Sequence, residues 1–191
     1  MGFVSDLGST DTFLIRVIST AHNAGIYSIP LRLQNPFTFG FSLFTSKNRP
    51  VFATCDRENI LRAVRTEWIL PAMNSLGLVI VASFFSKLFA EVVGTGFQGI
   101  IPVFTVVCIS YIFQGFFEIL ITIISNLKKE RLAAQISTLT TILNLIFIAV
   151  GVKIDGSLGA AFGYSIGRLT ALVISGIFLN LVWRSLGNGT P

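Results

Sequence analysis

The sequence predicts an all-α, polytopic transmembrane helix bundle of about five to six membrane-spanning helices, and three observations carry that expectation. Four long apolar stretches, at residues 68–94, 97–126, 132–152 and 157–183, each reach the ~20 residues needed to cross the hydrocarbon core of a bilayer. Hydrophobic residues make up 52% of the chain and charged residues 12%, with a mean hydropathy of +0.77, well outside the range of a soluble domain. The short segments between the stretches alternate between positively charged and nearly neutral. Because lipid cannot hydrogen-bond a bare backbone, apolar segments of this length have to be helices.

From the N-terminus, residues 1–20 place Val4, Leu7, Phe13, Leu14 and Ile15 around Asp6 and Asp11. There is no basic start followed by a continuous apolar core, so a signal peptide is not expected. The segment reads instead as the tail of a span, a first helix truncated at its start. Residues 21–25, with His22, read as a short turn, and 26–44 as a weaker span interrupted by Pro30, Arg32 and Pro36. Residues 47–67 are the most charged stretch, with Lys47, Arg49, Arg57, Arg62 and Arg65 against Asp56, Glu58 and Glu67. The run from Asp56 to Asn59 resembles a helix cap, which predicts a short surface helix there.

The four strong spans follow, separated by a turn near Gly94, a basic turn with Lys128, Lys129 and Arg131, and a turn with Lys153 and Asp155; Arg184 closes the last span. The excess of Lys and Arg on cytoplasmic loops then assigns 47–67, 127–131 and the C-terminus to the cytoplasm. The turns near His22, Gly94 and Lys153 fall outside. No linker or low-complexity segment divides the chain, so residues 1–191 read as one multi-pass transmembrane domain, with membrane lipids as its surroundings.

Several functions are excluded at this stage. The net charge of +5 is spread over short loops rather than gathered into a patch, so no nucleic-acid partner is expected. The single His22 has no Cys or carboxylate at ligand spacing, so neither a metal nor another cofactor is predicted. One loop histidine assembles no catalytic triad or dyad, and no enzyme is expected. Cys55 lies in a basic loop and Cys108 midway along a span, which argues against a disulfide.

Polar side chains inside spans are the functional candidates, because they are costly in lipid and must face protein or water. Tyr111, Gln114, Glu118, Thr122 and Ser125 recur every three or four residues and share a helix face. Glu118 reads either as a structural partner or as a proton- or cation-responsive group lining a cavity. Arg168 lies near the middle of the last span, one turn after Tyr164. An arginine at that depth costs ~2.5–3.5 kcal/mol on insertion scales, so it should face a polar interior. Arg32 is a comparable case. Both arginines suit either an anionic cargo such as a phosphate, which guanidinium matches in bidentate fashion, or structural pairing, in the case of Arg168 with Glu118. Gly159, Gly163, Gly167, Ala171 and Ser175 stand at strict four-residue steps, a pattern for close helix packing.

The order of these segments resembles a known family. The runs Ile142-Leu143-Asn144-Leu145-Ile146-Phe147-Ile148 and Ile154-Asp155-Gly156-Ser157-Leu158-Gly159-Ala160-Ala161 are similar to the span, turn, Gly-Ala-Ala and span of polysaccharide exporters. These are lipid-linked oligosaccharide flippases of the multidrug/oligosaccharidyl-lipid/polysaccharide (MATE-like) superfamily. Asp11-Thr12-Phe13-Leu14-Ile15, Ala24-Gly25-Ile26-Tyr27-Ser28 and Tyr111-Ile112-Phe113-Gln114-Gly115 resemble parts of that family's second half. The resemblance implies half of a two-bundle transporter working by alternating access. Its partner would be the missing N-terminal half or another membrane subunit. The cargo it implies is a polyprenyl-pyrophosphate-linked oligosaccharide moved from the inner to the outer leaflet for surface polysaccharide biosynthesis. Arg32 and Arg168 would meet the anionic head group, and Glu118 could couple an ion gradient. A multidrug exporter of cationic cargo is the alternative within the superfamily, and a non-transporting membrane scaffold the alternative outside it.

Overall fold

The computed structural model describes residues 7–32, 34–54, 56–69, 72–73, 76–77, 79–81, 84–85, 88, 91 and 99–187. Among them the helices are α1 (Leu7–Ile18), α2 (Ala21–Arg32), α3 (Gln34–Ala53), α4 (Arg57–Glu67), α5 (Ile100–Asn126) and α6 (Glu130–Gly187). The described positions between 69 and 91 are helical too, and no strand occurs among the described residues. The chain is all-α, but the expected five to six spans are not what the helices supply. Two described helices are long and apolar enough to cross a membrane, Ile100–Asn126 and Glu130–Ser185.

The N-terminal third accounts for much of that difference. Among the described residues α1 and α2 run for 12 residues each, and positions 1–6 and 33, at the start of α1 and the end of α2, lie outside the described residues. The two helices are separate because Thr20 stops one and starts the other: its Oγ1 accepts a hydrogen bond from the Asn23 backbone N–H at 3.2 Å, an N-cap contact. The expected turn at 21–25 is therefore the first turn of α2. The weak span expected at 26–44 is helical on both sides of residue 33, which lies outside the described residues, and holds Pro30 within α2. α3 is 20 residues long but carries Lys47, Asn48, Arg49 and Pro50 in its second half. Residues 47–67, expected as a loop with a surface helix, are helical except around the α3–α4 junction. There the Asp56 carboxylate accepts from the Glu58 N–H at 3.0 Å and caps α4. Most of the expected span at 68–94, together with Lys87, Gly94 and Cys55, lies outside the described residues.

The stretches expected as spans at 132–152 and 157–183 are the two helical arms of α6, joined across a kink. The backbone itself bends there: Asp155 (φ −147°, ψ 43°) and Gly156 (φ 51°, ψ −127°) leave helical geometry. The Gly156 conformation is one that L side chains rarely adopt. The arms 130–154 and 157–187 fold back along each other. Added Cβ atoms at Gly159, Gly163 and Gly167 would collide with Gly151 O, Phe147 O and Asn144 Oδ1 respectively. These contacts move outward from the bend in step, the mark of an antiparallel hairpin closed by small residues.

α5 packs against α6, α3 and α2, and α1 against α2 and α6. Two apolar cores are stacked along α5. One gathers Ile15, Tyr27, Val103, Val107, Tyr111, Ile148 and Tyr164. The other gathers Phe41, Phe52, Ile60, Phe117, Ile124, Leu179 and Val182. Around the second core lie the basic residues of three separate stretches: Lys47 and Arg49 on α3, Arg57, Arg62 and Arg65 on α4, and Lys128, Lys129, Arg131 and Arg184 around the ends of α5 and α6. Outward faces of the hairpin carry apolar stripes: Leu139, Ile142, Ile146 and Val150 on one arm, and Phe162, Ile166, Leu169, Val173, Ile177 and Leu181 on the other. Apolar surface this continuous suits a lipid or protein neighbour rather than water.

Candidate functional site

Polar side chains meet between the two cores. α5 contributes Tyr111, Gln114 and Glu118, spaced so that they project from one side of the helix. Across from them, the second arm of α6 contributes Tyr164 and Arg168, again one turn apart. α1 and α2 add Asp11 and Tyr27. Tyr27, Tyr111 and Tyr164 are all at most 1% exposed. Their rings are edge-on, with centroids 6.4 Å apart for both Tyr27–Tyr164 and Tyr111–Tyr164. Asp11, at 4% exposed, is as buried as its apolar neighbours.

The cluster is held together unevenly. The Tyr111 hydroxyl donates to Pro30 O at 2.6 Å. The bond ties α5 to α2 through a buried backbone carbonyl. Gln114 Nε2 donates to Glu118 Oε1 at 2.8 Å. The Arg168 guanidinium stacks over the Tyr164 ring, 4.7 Å from its centroid, a cation–π contact that burial strengthens. Four buried atoms at the centre have no hydrogen-bond partner among the described residues: Tyr27 Oη, Tyr164 Oη, Arg168 Nε and Gln114 Oε1.

Charge ties the cluster together beyond its direct contacts. Arg168 is within electrostatic reach of both Asp11 and Glu118, and it forms no ion pair with either among the described residues. Glu118 is engaged instead by Gln114. Two carboxylates and three phenols thus surround one guanidinium. Buried polar atoms without partners are uncommon and call for a particular explanation. Chemically, the arrangement can accept hydrogen bonds at carboxylates, donate them from hydroxyls and guanidinium, and bind or release a proton or a small charged group.

Of the residues singled out from sequence, Tyr111, Gln114, Glu118, Tyr164 and Arg168 come together here. Arg32 does not; it stands exposed in the last turn of α2. Gly159, Gly163 and Gly167 line the contact between the hairpin arms. Asp11 and Tyr27 were not picked out as site residues. Asp11 did carry a signal, as an acidic residue interrupting an apolar run, whereas Tyr27 had none. Cys108 is buried in α5 as a free thiol. No protein-family model, curated protein or solved structure matches this chain.

Proposed function

We propose that the chain belongs to a membrane transporter whose cargo passes the polar cluster around Arg168, in the manner of the lipid-linked oligosaccharide flippases its sequence resembles. The observation that carries this reading is the cluster itself. An arginine and two carboxylates lie between apolar cores, and Tyr27 Oη, Tyr164 Oη, Arg168 Nε and Gln114 Oε1 are buried there without a hydrogen-bond partner among the described residues. A purely structural interior would gain from replacing such atoms with apolar ones. In this reading the basic residues around the second core face the cytoplasm and the bend at Asp155–Gly156 faces outward. The chain is multi-pass, and Arg168 meets the pyrophosphate of a polyprenyl-linked glycan.

A second reading, export of organic cations, is favoured by one specific observation. Asp11 joins Glu118 in the interior while Arg32 remains outside, so carboxylates and aromatic rings outnumber guanidinium at the cluster. Deleting the gene distinguishes the two. Loss of surface glycan with lipid-linked oligosaccharide trapped on the inner leaflet supports the flippase. Intact glycan with sensitivity to cationic drugs supports cation export. If neither changes, the transport reading is wrong.

A further inference from the structure

Arg168 and Glu118 form no ion pair among the described residues, although each is within the other's electrostatic reach. Burial reduces screening by water, so opposite charges attract strongly in such surroundings. A carboxylate also matches a guanidinium in two parallel hydrogen bonds. The Glu118 carboxylate is held on its own helix instead. Gln114, one turn earlier on α5, donates from Nε2 to Glu118 Oε1 at 2.8 Å. The four-residue spacing puts both side chains on one face of α5, so this bond forms without help from another element.

Tyr164 holds Arg168 without engaging its N–H groups. The guanidinium rests over the ring, 4.7 Å from the centroid, and a ring face attracts a cation through its quadrupole rather than as a hydrogen-bond acceptor. Arg168 Nε is buried and donates to nothing among the described residues. Asp11, also within reach of Arg168, lies on α1, outside the Gln114–Glu118 pair. Gln114 itself is 4% exposed, and its Oε1 is buried with no partner among the described residues. An apolar residue of similar shape would avoid that penalty. What Gln114 supplies, and such a residue would not, is the Nε2 donor to Glu118.

We propose that Gln114 is a positioning residue, which withholds the Glu118 carboxylate from Arg168 and so keeps the guanidinium open to the phosphate oxygens of an incoming cargo. This rests on the reading of Arg168 as the contact for an anionic cargo. Without the Gln114 amide, Glu118 turns to Arg168 and competes with the cargo for it.

The test uses the full-length protein in detergent. Gln114→Met keeps an unbranched side chain without the amide, and Gln114→Leu repeats the test with a different shape. Each is made alone and combined with Glu118→Gln, and inorganic pyrophosphate, titrated by calorimetry, probes Arg168. Gln114→Met should bind pyrophosphate about tenfold more weakly than the parent, the order of effect of a charged hydrogen bond formed in competition. Adding Glu118→Gln should return the affinity to the parent's value or better, because a neutral amide does not neutralise the guanidinium. A second measurement is independent of cargo. Glu118→Gln should lower the unfolding temperature by about 4 °C more in the Gln114→Met background than in the parent, because only there does it break an ion pair with Arg168. Equal pyrophosphate affinity in the parent and Gln114→Met overturns the proposal, as does a loss that Glu118→Gln fails to reverse. Equal unfolding shifts in the two backgrounds overturn it too. If the parent binds no pyrophosphate while the unfolding shifts differ as expected, the anionic cargo is wrong and Gln114 still withholds Glu118.

Discussion

Within the polar cluster, two tyrosines of the same kind and burial have opposite roles, and their substitutions should separate. Tyr111→Phe removes the buried hydrogen bond to Pro30 O, which should cost about 1 kcal/mol. Tyr27→Phe removes a hydroxyl that has no partner among the described residues and should be neutral or stabilising by up to ~1 kcal/mol. Thermal unfolding of the purified protein in detergent measures both. If Tyr27→Phe raises stability while abolishing transport, the hydroxyl is kept for cargo rather than for the fold. The α5 part of this cluster was legible in sequence, because Tyr111, Gln114 and Glu118 follow the repeat of one helix. Its other half was not. Nothing within α1 tells Asp11 that its counter-charge is Arg168 on α6, since only tertiary packing makes them neighbours.

Among the elements, the hairpin is set by glycine contacts and by one backbone conformation. Gly163→Ala drives a methyl group into Phe147 O, and separating the arms to admit it should cost about 1–3 kcal/mol. Gly25→Ala, in the interior of α2 with nothing within 4 Å of the added Cβ, should instead stabilise by about 0.5–1 kcal/mol. Measured side by side by thermal unfolding, the two should shift in opposite directions. A shift of the same sign would show that the arms are less closely packed than described. The four-residue glycine spacing was visible in the sequence because close helix approach constrains residue size directly. The N-terminal helices were misjudged for a different reason. Apolar content averaged over 20 residues does not register a cap such as Thr20, which separates α1 from α2, or the basic second half of α3.

At the scale of the molecule, three stretches far apart in sequence bring their basic residues to the end built on Phe52, Ile60, Leu127 and Val182. Lys153 and Asp155 mark the bend of the hairpin, beside Asn23. If the two ends face opposite sides of a bilayer, cysteines placed at Lys128 and Lys153 in a Cys55→Ser/Cys108→Ser background should differ in access. A membrane-impermeant thiol reagent applied to intact cells should label Lys153→Cys at once and Lys128→Cys only after permeabilisation. Labelling of both from the same side rules the orientation out. The arrangement also sets an order of events during synthesis. α5 and the two arms of α6 are consecutive in the chain, so their contacts are local and can form as each segment emerges. Asp11 precedes α2 to α5 and Arg168 follows them in the chain, so Asp11 has to wait for all of those helices to be made before meeting its counter-charge. Until then α1 and α2 have no final seat. The polar interior is the last part of the molecule to close.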